Sequence, residues 1–221
     1  EMIKQEIIAD FGVPAEKITV IYNAIDNQKF PPADEALRQR LREQYQIPQQ
    51  AHCLIFVGSG FERKGLAAAI RAVAATDSHL LVVGKDKAEK RYRALAQSLG
   101  CGDRVHFMGV QKQTLPFYQA ADALLLPTLY DPFPNVILEA MSCGLPVITS
   151  TTCGGAEFIT PGQNGFVTDA LDVPAIAEAI RALPRQALGS SMGEAARLRI
   201  MPATPAHLSE QLISLYNRLL D

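Results

Sequence analysis

What most constrains this chain is a rhythm of short, wholly apolar runs, each followed by a helical pattern. The runs cover residues 53–57, 80–83, 105–107, 123–126 and 146–149, with a short sixth near 165–168. Gly58, Gly84 and Pro127 close the first, second and fourth. A strand with one face in water alternates apolar and polar residues. These do not, so both of their faces must be covered, as in a parallel sheet. Helical patterns at 64–75, 87–99, 114–120 and 135–143 supply the crossovers that parallel strands require. The expectation is an α/β domain, a Rossmann-like doubly wound parallel sheet, with extra helices from Val173 onward. In such sheets ligands bind outside the carboxyl ends of the strands, where strand order reverses. The loops after Val57, Val83, Phe107, Leu126 and Thr149 are therefore where a site is expected.

The flanks read differently. A helix is predicted over 2–11, stopped by Gly12 and Pro14, then a strand over 18–22 and a turn at 23–26. Pro31 and Pro32 mark a linker, and a charged helix follows over 34–45. The chain opens Glu1-Met2 inside a helical pattern, as a piece of a longer protein would.

Composition narrows the partners. Of 221 residues, 48% are apolar and 20% charged, enough for a sizeable core. Net charge is −2 and the cations are scattered, which argues against nucleic acid as the main partner. A small anion needs only one or two placed cations and stays open. Cys53, Cys101, Cys143 and Cys153 form no CxxC pair and no Cys/His group with zinc spacing, so they read as reduced packing residues of a cytoplasmic protein. His52, His79 and His106 sit beside strands and read as structural, and no carboxylate cluster suggests a metal. No apolar run approaches the roughly 20 residues of a membrane span.

Three segments carry candidate chemistry. Gly58-Ser59-Gly60-Phe61-Glu62-Arg63-Lys64-Gly65 joins the first strand to its helix. Glycines admit a ligand close to the backbone, and a helix N-terminus attracts phosphate. Arg63 and Lys64 at that end oppose the helix dipole unless an anion such as a diphosphate binds there. The loop matches neither GxGxxG nor a Walker A pattern, and by itself reads equally as an ordinary glycine-rich turn with solvated charges. The second segment, Asp131 to Glu139, runs from the loop after the fourth strand into the next helix. Pro134-Asn135 leaves free amides at the helix entrance, and Glu139 one turn inside is suited to accept from vicinal hydroxyls of a sugar. Alone, Asp131 equally reads as a turn former and Glu139 as a solvated helix residue. The third, Thr151 to Glu157, is a glycine turn facing the same crevice, and taken alone is a plain connection.

Together these segments resemble the C-terminal domain of the family 4 glycosyltransferases, retaining enzymes of the two-domain GT-B type. The most specific part is Asp131-x7-Glu139, then Glu139-Ala140-Met141-Ser142-Cys143-Gly144-Leu145-Pro146-Val147, then Gly154-x-x-Glu157. The Lys64-Gly65 pair, the Val83-Gly84 turn and the Val105 to Gly109 strand end extend it over residues 18 to 185. Within the family, Gly58-Ser59 and Arg63-Lys64-Gly65 look most like the lipopolysaccharide-core glucosyltransferases, which move glucose from UDP-glucose to a heptose.

The resemblance implies roles. Lys64 with Arg63 would neutralise the diphosphate, and Asp131 would contact hydroxyls of the donor sugar. Gly58, Ser59 and Gly60 would line the donor loop, and Glu139 would hold the ribose hydroxyls. Amides around Phe133, Pro134, Asn135 and Val136 would meet sugar and phosphate, and the backbone at Val110 would read the base. No metal cofactor is implied. Residues 1–30 would be the tail of a preceding domain and the hinge, 31–185 the nucleotide-sugar domain, and 186–221 closing helices with a crossover helix at 205–220. A saccharide acceptor would be bound by the preceding domain, and peripheral association with the inner face of a bacterial membrane is compatible with this. Two departures stand out: Asp131 is one methylene shorter than the family's glutamate, and Ser59 stands where many relatives carry arginine. A UDP-sugar epimerase and a non-catalytic nucleotide-binding domain share enough of the pattern to remain alternatives. Glucose is favoured only through the subfamily likeness.

Overall fold

The apolar runs form β1 (Cys53–Val57), β2 (His79–Val83), β3 (Val105–Gly109), β4 (Ala123–Leu126), β5 (Val147–Ser150) and β6 (Gly165–Thr168). The computed structural model describes residues 1–220. Neighbouring strands are parallel throughout, in the order β3-β2-β1-β4-β5-β6. β1, β4 and β5 are buried at every position, which is why their residues do not alternate.

Two helices precede the sheet, α1 (Met2–Phe11) and α2 (Glu35–Gln44). The crossovers are α3 (Leu66–Ala74), α4 (Glu89–Ser98), α5 (Leu115–Ala120) and α6 (Asn135–Ser142). After β6 come α7 (Val173–Ala182), α8 (Ser191–Ile200) and α9 (Pro205–Leu220). Right-handed crossovers put α3 and α4 on one face and α5 and α6 on the other. α7 joins the first pair by packing on α3, while α2 packs on α5 and α8 on α6. Phe61, fully buried, packs edge-on against Phe56 and Tyr92 at 6.0 and 5.6 Å, a burial worth about 2–3 kcal/mol.

α2 is more than a charged approach helix. Asp34 caps it, accepting from the Leu37 amide at 2.7 Å. Arg38 and Arg42, one turn apart, point inward to Asp122, a carboxylate with no exposed surface just ahead of β4. Arg42 reaches Asp122 at 2.7 Å and gives its other donors to the carbonyls of Pro48, Gln49, Ala51 and Ala120. Asp122 also accepts from the Cys53 amide at 2.8 Å, and its own amide donates to the Cys53 carbonyl at 2.6 Å. The charges are buried but every one is partnered.

Three expectations need correction. The helix predicted from residue 64 starts at Leu66, because Gly65 takes a left-handed φ of 76° ahead of it. Residues 18–22 are not a strand of the sheet. They run between α1 and α9, and helices have no edge to pair with an extended chain. The turn predicted at 23–26 falls at 27–29, because the Ile25 amide donates to the Ala203 carbonyl and Asp26 accepts from Gln28 and Lys29. The four cysteines are free and buried, as expected of packing residues. α1 and α9 bury none of their residues, and Phe11, Ile213, Tyr216, Leu219 and Leu220 are exposed.

Three of the four histidines, His52, His79 and His106, line the amino ends of β1 to β3. His52 Nδ1 lies 3.0 Å from Ser78 Oγ, and His79 Nδ1 lies 3.0 Å from His106 Nε2 with the rings stacked. Burial draws all three below the ordinary histidine value of 6.5. Below that value the unfolded chain binds more protons than the folded one, so this contribution to stability is whole above pH 6.5 and declines as pH falls through it. Urea titrations should therefore show a loss of stability on acidification that is smaller in a His79→Gln, His106→Gln chain. Arg42→Ala leaves Asp122 with Arg38 and the Cys53 amide as partners and unpairs the carbonyls that Arg42 holds, and should cost about 3 kcal/mol in the same measurement.

Candidate functional site

The chain leaves β1 for β2 and β3 on one side and returns to β4 on the other, so strand order reverses between β1 and β4. The loops 58–65 and 127–134 leave the sheet at this point, where sheets of this kind bind their ligands. Glycine is what lets them touch. A Cβ on Gly65 would lie 1.8 Å from the Pro127 carbonyl oxygen, and one on Gly154 would lie 1.8 Å from that of Pro132. The Arg63 carbonyl accepts from the Leu129 amide at 2.8 Å and from Thr128 Oγ1 at 2.9 Å. The Asp131 amide donates to the Thr152 carbonyl, and the Asp131 carbonyl accepts from Gly154 at 2.9 Å. Asp86, after β2, accepts from the Phe61 amide at 3.0 Å and steadies the first loop.

These contacts bring one carboxylate between two cations. Lys64 Nζ and Arg63 Nη1 both donate to Asp131 Oδ2, the latter at 3.1 Å. Arg63 also donates to the Tyr130 carbonyl at 2.7 Å. Lys64 and Asp131 are buried, whereas half of the Arg63 side chain is exposed. The trio carries one net positive charge, on preorganised donors in a partly dry crevice, which suits a small anion.

Glu139 forms a second centre, one turn into α6. Its carboxylate accepts from the buried Tyr118 hydroxyl at 2.8 Å. Burial pushes the Glu139 carboxyl above its ordinary value, and the Tyr118 and Thr114 hydroxyls hold it down by hydrogen bonding. Of the α6 entrance residues, Phe133 packs with Tyr22 and Phe158, Asn135 accepts from Asn23 at 2.7 Å, and Pro134 and Val136 pack inward. Gly58 lies beside the Lys64 stem, with Ser59 and Gly60 exposed on the rim. Val110, exposed beyond β3, is two strands from β1, roughly 10 Å. Among the described residues no hydrogen bond or ion pair joins Glu139 or Val110 to the Lys64 trio. A groove of about 280 Å³ borders the same loops, between residues 18–23 and α1 on one side and Pro132, Phe133, Gly154 and Glu157 on the other. Among the described residues no group of three or more His, Cys, Asp or Glu is placed to hold a metal ion.

Residues 38–199 match the family described as Glycosyl transferases group 1. The chain belongs to this glycosyltransferase family. Lipopolysaccharide glucosyltransferase WaaG of Escherichia coli (strain K12) is 33% identical over 177 residues, 75% of this chain and 47% of WaaG. A crystal structure of WaaG superposes with a TM-score of 0.77 at 30% identity, over 94% of this chain and 60% of that one. HepE from Anabaena, solved with UDP and glucose, shares the fold at a TM-score of 0.83 and 24% identity, over 96% of this chain and 60% of its own. The chain spans about half the length of the curated relatives it matches.

Several residues that shape this glycosyltransferase domain's crevice were not visible as site residues in its sequence. Tyr118 and Thr114 sit in an ordinary amphipathic pattern, and nothing local marks the Tyr118 hydroxyl as the partner of Glu139. Thr152 and Cys153 lie in the third candidate segment, but nothing local marks them as the residues that bridge to Asp131. Asp131→Asn removes the counter-charge of a buried ammonium and should cost about 3 kcal/mol of stability. Pyrophosphate replaces that charge, so its addition should raise the melting temperature of Asp131→Asn more than that of the parent chain, and the difference should shrink with added salt. Equal shifts in both chains would show that Asp131 does not compete with an anion for Lys64.

Proposed function

We propose that this chain is the donor-binding half of a retaining hexosyltransferase that moves glucose from UDP-glucose to a lipopolysaccharide-core or related glycan acceptor. The observation that carries this reading is the Lys64–Asp131–Arg63 trio in the crevice between β1 and β4. A nucleoside diphosphate leaves with two phosphates' worth of negative charge, and fixed cations beside it lower the barrier most when they need not reorganise. Lys64 and Arg63 supply that charge without a metal in this reading, with the first amides of α6 facing the same anion. Asp131 holds both cations aimed while the site is empty and turns to the sugar's hydroxyls as the diphosphate takes its place. Glu139, Tyr118-bound on one side, offers its remaining lone pairs to the ribose hydroxyls. The anomeric configuration is kept, with the acceptor approaching from the leaving-group side. UDP and glucose in HepE, and the glucosyltransferase name of WaaG, support this choice of donor.

The acceptor falls to the half that the relatives carry beyond this chain. In this reading residues 1–30 are the hinge and tail of that half, 31–185 the donor domain, and α9 a helix that crosses back. The exposed apolar residues Phe11, Ile213, Tyr216 and Leu219 fit such a covered surface. Calorimetric titration with UDP, UDP-glucose and GDP-mannose tests the donor assignment. UDP ligands should bind in preference to GDP-mannose, and Lys64→Ala and Glu139→Ala should each weaken them by about 1–3 kcal/mol. Equal binding of the guanine ligand, or unchanged affinity in both variants, overturns it.

A further inference from the structure

Tyr118 is fully buried, with Phe30 packed edge-on against its ring at 6.2 Å. A phenylalanine would fill the same volume, so packing alone does not call for the hydroxyl. A buried hydroxyl is costly unless partnered, and this one is spent on Oε2 of Glu139 at 2.8 Å. The Thr114 hydroxyl, just ahead of α5, also holds the Glu139 carboxyl down. With only Tyr118 hydrogen-bonded to it, a carboxylate with about four lone-pair sites keeps acceptors free for a ligand.

We propose that Tyr118, assisted by Thr114, is a positioning residue that keeps Glu139 ionised and aimed, and thereby sets the preference of the crevice for a ribonucleotide over a 2′-deoxyribonucleotide. This rests on the assignment of Glu139 to the ribose hydroxyls made above. Two vicinal hydroxyls each need an acceptor, and a protonated Glu139 would turn one of its oxygens into a donor. Burial drives the carboxyl toward that neutral form, and the Tyr118 and Thr114 hydroxyls oppose it.

The groups around Glu139 leave it as the one that titrates. Tyr118 and Cys143 are both pushed up by burial and by the Glu139 charge, and stay protonated. Arg197 of α8 faces Cys143 and donates to the Ser142 carbonyl. Removing the Tyr118 hydroxyl raises the Glu139 carboxyl further. On acidification, ribonucleotide binding is then lost at a higher pH than in the parent chain.

The test is calorimetric titration of the full chain with UDP and 2′-deoxy-UDP between about pH 5 and about pH 8, in the parent, Tyr118→Phe, Thr114→Val and Glu139→Gln. The parent should prefer UDP by about tenfold, and Tyr118→Phe should cut this to about threefold or less while leaving 2′-deoxy-UDP nearly unchanged. The acid limb of UDP binding should move up by about one pH unit in Tyr118→Phe, and in the same direction by less in Thr114→Val. If Glu139→Gln loses the preference but Tyr118→Phe keeps both it and the parental acid limb, the positioning role is overturned and the ribose assignment stands. If Glu139→Gln keeps the preference, the ribose assignment fails and this proposal with it. Should Tyr118→Phe fail to fold by circular dichroism, Thr114→Val decides on the same two readouts.

Discussion

Asp122 is a carboxylate buried without exposed surface, shared by two arginines of α2 and by the first amide of β1. Such a group is tolerable only when its partners are complete, since removing two charges from water costs several kcal/mol per ion. Here the partners are complete, and they come from parts of the chain that must be fixed together. The carboxylate ties the amino ends of β1 and β4, and the arginines lash α2 beneath them. With Leu54 set opposite Ala123 and Ile55 opposite Leu124, the two strands run level to their carboxyl ends. Their loops therefore emerge side by side, and the crevice inherits its geometry from an ion cluster at the opposite end of the sheet.

The crevice repeats the device in an open form. Asp131, like Asp122, sits between two cations, but one of them, Arg63, keeps half its side chain in solvent. Asp122 cannot give up its partners without leaving buried charge unmatched. Asp131 can, provided another anion takes its place. The difference is one of access, set by where the two carboxylates fall along β4: one precedes the strand at its closed end, the other follows it at the open end. Gly65 and Gly154 make the second arrangement possible by allowing backbone approaches that no side chain would permit.

Much of the fold was legible because it is written locally. An apolar run without alternation announces a strand covered on both faces, and Gly58, Gly84 and Pro127 mark where the strands stop. Arg63 and Lys64 were legible as candidates because two cations at a helix entrance oppose its dipole, and Asp131 because of its spacing to Glu139. The same local logic misjudged residues 18–22, whose β-branched run has no sheet neighbour along this chain, and it read α2 as no more than a charged helix. Arginines at 38 and 42 look alike whether they face water or a buried acid. Only the position of Asp122 distinguishes the two.

The order of strands and helices, and the loops in which chemistry would collect, were determined by the sequence alone, because hydrophobic periodicity and chain breakers act over a few residues. Which charge meets which was decided by the tertiary structure. Lys64 and Asp131 are 67 residues apart, Arg42 and Asp122 are 80 apart, and Tyr118 and Glu139 are 21 apart on successive helices. No local pattern encodes such pairings. They exist because a parallel sheet of reversed order brings distant loops to one edge, where burial makes each unpaired charge too costly to leave alone.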